Sequence, residues 1–258
     1  MYLTWFDSNS WLLEIGKNRI LIDPWLVGSL TFGNLNWFFE GSRPQERPIP
    51  ENIDLILLSQ GLEDHAHTPT LKQLDRNIKV VASPNAAKVV QQLGYTQVTV
   101  LAHGETFTLN HQVEIRAFPG SPIGPFLVEN GYLLQELESG FKVYYEPHGY
   151  HSLEVKQVAP VDVVITPSID IEIPLLISLI RGKDSVLEVI KWLQPQALIP
   201  TAAGGDVIFE GLLAKILKYA GSTTELRSLL EKNHLSVQVI EPTPGDRFEV
   251  PLKKRSLI

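Results

Sequence analysis

Residues 53–71 read IDLILLSQGLEDHAHTPTL, and the fold can be read outward from them. Ile53 and Leu55-Ile56-Leu57-Leu58 form a short, almost wholly apolar run. That is the pattern of a buried strand in a sheet covered on both faces. The run stops at Ser59-Gln60-Gly61. Glu63-Asp64-His65-Ala66-His67 then sets two carboxylates and two imidazoles within five residues. Thr68-Pro69 predicts a helix start, with Thr68 as N-cap and Pro69 at the first helical position. A strand thus delivers proton-active, metal-capable side chains to its carboxyl end, just ahead of a helix N-terminus. Open α/β sheets place their sites there, and the helix end favours a negative charge nearby. A lone Asp or His in such a loop would read as a cap; four titratable groups in five positions point to a site.

The composition narrows the classes. The 258 residues fit one α/β domain spanning 1–258, and a hydrophobic fraction of 44% can supply a large core. Lys+Arg 22 against Asp+Glu 29 gives a net charge of −7 with no basic stripe, which argues against a nucleic-acid partner. The absence of cysteine excludes disulfides, thiolate metal sites and a cysteine nucleophile, and is compatible with a reducing compartment. The opening stretch, residues 1–26, lacks a basic region followed by an apolar signal core. No run approaches the roughly 18 uninterrupted apolar residues of a membrane span. The expectation is a soluble, cytoplasmic protein that takes a small-molecule substrate or ligand; a homo-oligomer is compatible.

Along the chain, residues 2–6, 10–15 and 19–23 read as strands joined by tight turns, the last ending at Asp23-Pro24. Residues 27–50 lack periodicity but carry Trp37, Phe38 and Phe39, so this loop either covers a pocket or is pinned to the core by its aromatics. A helix over 69–75, strand 78–82, a helix from Ser83-Pro84 to Leu93 and strand 97–101 follow. Residues 112–118 alternate as a strand with one wet face. A hairpin over 131–137 and 141–146 runs into Glu146-Pro147-His148-Gly149-Tyr150-His151, a second cluster of candidate ligands. After a helix from Ser152 and strand 161–166, the apolar stretch 171–180 is too short to span a bilayer and reads as a buried helix, with a lid or membrane-surface contact as the alternatives. Helices over 184–193, 207–219 (capped by Asp206) and 223–232 alternate with strands 197–200, 236–240 and 247–250. Lys253-Lys254-Arg255 reads as a solvated tail.

Gln60-Gly61-Leu62-Glu63-Asp64-His65 after an apolar strand resembles the His-x-His-x-Asp-His signature of the metallo-β-lactamase superfamily. The opening W-F-D-S-N-S-W-L-L-E…I-L-I-D-P-W-L resembles its lactonase-like (ascorbate-6-phosphate lactonase-type) branch. The resemblance implies a four-layer αββα sandwich. It implies a hydrolytic centre at seven positions, which here are Gln60, Leu62, Asp64, His65, Ser121, Pro147 and Ala202. Only Asp64 and His65 keep the family's donor. The resemblance also places Asp23 in support of the site from behind its ligands, with Gln60 and His67 beside it.

Three readings stand on these residues. One is a hydrolase with a rebuilt mononuclear centre, in which Asp64 and His65 are joined by Glu146 or His148 around Zn, Mn or Fe, with Asp64 and His148 the catalytic pair. Another is metal-free acid–base catalysis by Asp64 or Glu63 with His65 or His148. The third is a binding or regulatory protein that has lost the metal centre, favoured by the side chains of Leu62, Pro147 and Ala202, which cannot ligate.

Overall fold

Side chains alternate between the two faces of a strand, and Leu55–Leu58 uses both. Leu55 and Leu57 enter a core layer between two sheets. Ile56 and Leu58 enter a second layer beneath the helices Thr68–Gln73 and Pro84–Gln92. All four are inaccessible to solvent, each stabilising the fold by about 1.5–3 kcal/mol. The strand pairs in parallel with Asn18–Ile22 and Lys79–Ala82, inside a seven-stranded sheet that Tyr2–Trp5 and Trp11–Ile15 extend by antiparallel pairing. The computed structural model describes residues 1–124, 126–202 and 205–255; Ala203 and Gly204, in the loop after strand Ala197–Pro200, lie outside them.

The second sheet, also seven-stranded, carries Val113–Ile123, Leu127–Glu136, Lys142–Tyr145, Val163–Thr166 and Ala197–Pro200. Val143, Tyr145, Val163 and Ile165 face the first sheet. Tyr144 and Val164 face the helices Gly182–Leu193 and Thr223–Lys232 through Val186, Val189, Leu226 and Leu230. The order helix, sheet, sheet, helix is the αββα sandwich. Among the described residues no helix is long and apolar enough to cross a membrane.

Four local expectations change. The helix after the motif begins one residue early: His67 is the N-cap, its ring accepting from the Thr70 N–H, and Thr68 lies inside. Residues 171–180 are no helix. They form a hairpin of Asp170–Ile173 and Ile177–Arg181 with Leu175 and Leu176 exposed at its tip. Residues 207–219 break into the strand Ile208–Glu210, the short helix Leu212–Ile216 and an edge strand from Lys218. Asp206 caps nothing there and instead binds Arg47. Arg255 is not a free end: it reaches the Asp162 carboxylate at 3.0 Å and the carbonyls of Val161 and Gln194.

These pieces make two small sheets beside the sandwich. One joins the hairpin to Lys218–Ala220; the other joins Ile208–Glu210 to Glu40–Ser42 and Leu30–Thr31. Phe39 stacks on Phe209 and tilts against Phe32. The aromatics of the 27–50 loop therefore serve in both expected ways, packed as a cluster and lining a cavity. Trp37 stays exposed.

Candidate metal centre

The two carboxyl ends that face each other are those of Leu55–Leu58 in the first sheet and Lys142–Tyr145 in the second. Asp23, at the end of the neighbouring strand Asn18–Ile22, is the fixed point between them. Its buried carboxylate accepts from the Ser59 N–H (2.8 Å) and hydroxyl (2.5 Å), from the Tyr145 hydroxyl (2.6 Å) and from His65 Nδ1 (2.7 Å). Asp23 sits at φ 41°, a left-handed conformation that Asp tolerates better than most residues. With Nδ1 donating to Asp23, the other nitrogen of His65 points at the site: Nε2 lies 3.2 Å from Asp64 Oδ2 and 3.4 Å from Asn9 Nδ2. A carboxylate behind a histidine fixes the ring and its tautomer in metal sites.

Burial opposes a charge on His65, but Asp64 and Asp23 outweigh it and raise its pKa well above the ordinary value. Burial would likewise lift the Asp64 carboxyl; His65, by charge and hydrogen bond, with His148 further off, holds it below the usual range. A metal ion at His65 Nε2 would have to displace the proton held there.

His148 comes from the other sheet. Its ring lies 4.9 Å from that of His65, centroid to centroid. Its Nδ1 is 2.8 Å from Glu129 Oε2, yet neither atom has an aligned hydrogen-bond partner. Two donor atoms that are close but not directed at each other suit a shared third atom better than a direct bond. Burial works against a charge on His148 and Glu129 outweighs it, so its pKa is raised. Glu146 is wholly buried. Its Oε2 accepts from the backbone N–H groups of His148, Gly149 and Tyr150, while its Oε1 is left without a partner. Only glycine fits at 149, where φ is +80° and a Cβ would come 2.5 Å from the Arg181 carbonyl oxygen. Burial first, and Glu129 as well, push the Glu146 carboxyl up to about 7 against the opposing charge of His148.

The ligand atoms of Asp64, His65 and His148 lie within 4.8 Å of one another, as do those of Glu129, Glu146 and His148. Of the residues singled out from the sequence, Asp64 and His65 are thus brought to His148 in one triad, and Glu146 to His148 in the other. Glu129, on the long strand Leu127–Glu136, was not anticipated: it belongs to no local cluster, and the expected strand began only at residue 131. Gln60, buried with its Oε1 unpartnered, lines the same cavity as Asn9, Leu62, Ser121 and Ala202. His67 points elsewhere, between Thr70 and the Ser29 carbonyl and tilted against Trp25. Glu63 lies 3.4 Å from the Gly33 N–H, on the covering loop.

His151, 4.0 Å from Glu146, has its Nδ1 at the Tyr144 hydroxyl and its Nε2 unpartnered. Burial pushes its pKa down to about 3. A histidine buried neutral stabilises the fold fully above its unfolded pKa of about 6.5, and that stability is lost as pH falls toward 3. Chemical denaturation from pH 6.5 to 4 should therefore show a stability loss in the wild type steeper by about 3 kcal/mol than in His151→Gln. Parallel curves would show that this ring titrates normally.

A two-sheet sandwich with clustered His and carboxylate donors at facing strand ends defines a class of metal-capable α/β proteins. The family model described as "Beta-lactamase superfamily domain" matches residues 2–202, and the chain belongs to that family. It is 23% identical over 263 residues to a protein of Methylobacterium nodulans described as "UPF0173 metal-dependent hydrolase", covering 97% of this chain and 100% of the relative. Among solved structures it resembles "a possible metal-dependent hydrolase" of Veillonella parvula, with TM-score 0.72, 14% identity, and 97% and 99% of the two chains covered. It also resembles the isothiocyanate hydrolase of Delia radicum gut bacteria, with TM-score 0.69, 14% identity, and 96% and 99% covered. At these identities the structural likenesses establish the fold alone.

Proposed function

We propose that this chain is a metal-dependent hydrolase of the lactonase-like branch, acting on an ester, lactone or phosphoester at a mononuclear centre rebuilt from Asp64, His65, Glu129 and His148. The observation that carries the reading is a pair of donor triads sharing His148, Asp64–His65–His148 and Glu129–Glu146–His148, in which Asp64 Oδ1 and Glu146 Oε1 are buried without a hydrogen-bond partner while Glu129 Oε2 and His148 Nδ1, 2.8 Å apart, have only each other. Leaving such groups unpaired costs about 1–3 kcal/mol each, more when charged, and a divalent cation would satisfy several at once. The metal-dependent relative in Methylobacterium nodulans supports it. Oxygen and nitrogen donors without sulfur suit Zn, Mn or Fe.

One ion rather than two follows from the donors. His148 belongs to both triads, and a neutral imidazole has a single free lone pair. The resemblance puts the family's other five ligand positions at Gln60, Leu62, Ser121, Pro147 and Ala202, which offer at most one amide oxygen and one hydroxyl. When bound, such an ion supplies a Lewis acid and activates water at neutral pH. Asp23 and Tyr145 hold His65 in the tautomer that presents Nε2. The Asn9 and Gln60 amides face the cavity and can orient a substrate oxygen. Asp64 and His148 flank the reacting group, and Glu146 can take up a proton near neutrality.

Elemental analysis of the purified protein should find no more than one equivalent of metal. Glu129→Ala and His148→Ala should each weaken metal binding at least tenfold while the circular-dichroism spectrum persists, and hydrolysis of an ester, lactone and phosphodiester panel should fall with occupancy. Two equivalents of zinc, or no binding under any loading condition, would overturn the reading. The non-catalytic alternative, which Leu62, Pro147 and Ala202 favour, is the outcome if a loaded protein binds one ion and Asp64→Ala changes no rate on that panel.

A further inference from the structure

The cavity beside the metal-capable cluster, about 300 Å³, is built from two kinds of wall. The polar one comes from the ends of the main-sheet strands and holds Asn9, Gln60, Asp64, Glu129 and His148. The other comes from the two small sheets and the short helix Leu212–Ile216. It presents Phe32, Phe39, Phe209, Leu213, Ile171 and Leu179, without a charged side chain among the residues these elements contribute to the cavity. Hydrolysing a small hydrophilic ester needs no such wall. The apolar character also runs out to the mouth, where the hairpin strand Ile177–Arg181 lines the cavity and its tip leaves Leu175 and Leu176 exposed.

We infer that the ligand of this site joins a hydrolysable polar head to an aliphatic group that fills the apolar half of the cavity. This rests on the hydrolase reading for the head and on the cavity walls for the tail. Taking the roughly 30 Å³ that one water occupies as the measure, the cavity admits about ten non-hydrogen atoms. The specificity-determining residues are Phe209 and Leu213, which belong to the element that sequence patterning assigned to a long helix. As a strand and a single helical turn, they reach the cavity from the side opposite the sandwich.

The test is a chain-length series on the wild-type protein. Calorimetric titration with sodium n-alkanoates from butanoate to dodecanoate keeps the head constant and varies only the tail. Each added methylene should tighten binding about three- to fourfold, with one site per chain, until the cavity is full near ten non-hydrogen atoms, after which the gain should stop. Leu213→Asn should flatten the series. A flat series, no detectable binding at any length, or a stoichiometry above one would overturn the inference, and none of these depends on turnover. The same lengths as p-nitrophenyl esters separate the two readings. Hydrolysis of short esters with a flat alkanoate series keeps the hydrolase and removes the aliphatic ligand. A steep series with no ester cleaved removes the hydrolase and keeps the ligand class.

Discussion

Asp23→Ala should lower the stability of the protein by about 3–5 kcal/mol, the range seen when one partner of a buried charge network is removed. The wild-type carboxylate is wholly inaccessible and receives two bonds from Ser59, one from Tyr145 and one from His65. Truncation leaves these donors buried with no acceptor, at about 1–3 kcal/mol for each that finds no other partner. Asp23→Asn is the informative companion. It preserves volume and suits the left-handed backbone, so its stability cost should be smaller, while the charge that orients the His65 ring is gone. Metal affinity should then drop about 10–100-fold, as for other outer partners of a ligating histidine. Urea denaturation and metal titration of both variants check the two effects separately. An Asp23→Ala midpoint equal to the wild type would show that water replaces the carboxylate without cost.

Arg47→Met should cost about 3–5 kcal/mol, because it strands a buried carboxylate. Asp7 is inaccessible, at φ 81°, and among the described residues Arg47 is its closest cation: Nη2 lies 2.6 Å away and Nε 3.2 Å. Arg43, the second cation, lies farther off. Its Nε is 3.8 Å from Asp7, and its guanidinium is held over the Trp25 ring and on the Trp25 carbonyl. Burial, against the pull of Asp7, lowers the Arg43 pKa to about 10. The same Arg47 Nη2 also reaches Asp206, at 2.6 Å, a carboxylate about half exposed whose pairing adds little. Asp7→Asn should be milder, and Asp7→Asn with Arg47→Met should recover much of the loss, since the stranded charge is gone. A double-mutant cycle by chemical denaturation measures that coupling; strictly additive losses would show that Asp7 is not stranded. The same carboxylate explains Gly205, at φ +78°, where any Cβ would overlap Asp7.

The layers were legible because they rest on local pattern. Leu55–Leu58 has apolar side chains at every position, and four residues bounded by Ser59-Gln60-Gly61 suit a strand covered on both sides better than a helix. The motif loop was legible for the same reason, its titratable groups being neighbours in sequence. Glu129 was not: it reaches His148 only because two strands pair across a hairpin, and register does not show in a single strand's composition. The stretch 171–180 misled because a ten-residue apolar run suits a buried helix. Its residues instead pair as two strands, Ile173 opposite Ile177 and Ile171 opposite Ile180, around a Pro174-Leu175-Leu176 turn. The 207–219 stretch has helical composition, yet Gly211 at φ +97°, packed against the Phe38 backbone, cuts it in two. His67 shows the converse limit: two imidazoles two residues apart look like one ligand pair, but the helix start turns the second away.

Tyr145 belongs to the second sheet, yet its hydroxyl reaches Asp23 and the Asn9 carbonyl in the first. That crossbar ties the two sheets together, so the two halves of the sandwich cannot part by a small opening without releasing it. The amide of Ser59, bonded to Asp23, should then trade its hydrogen for deuterium only when the whole molecule unfolds. The end that carries the metal-capable cluster would be its slowest-exchanging region, with mobility confined to the small sheets that form the other wall.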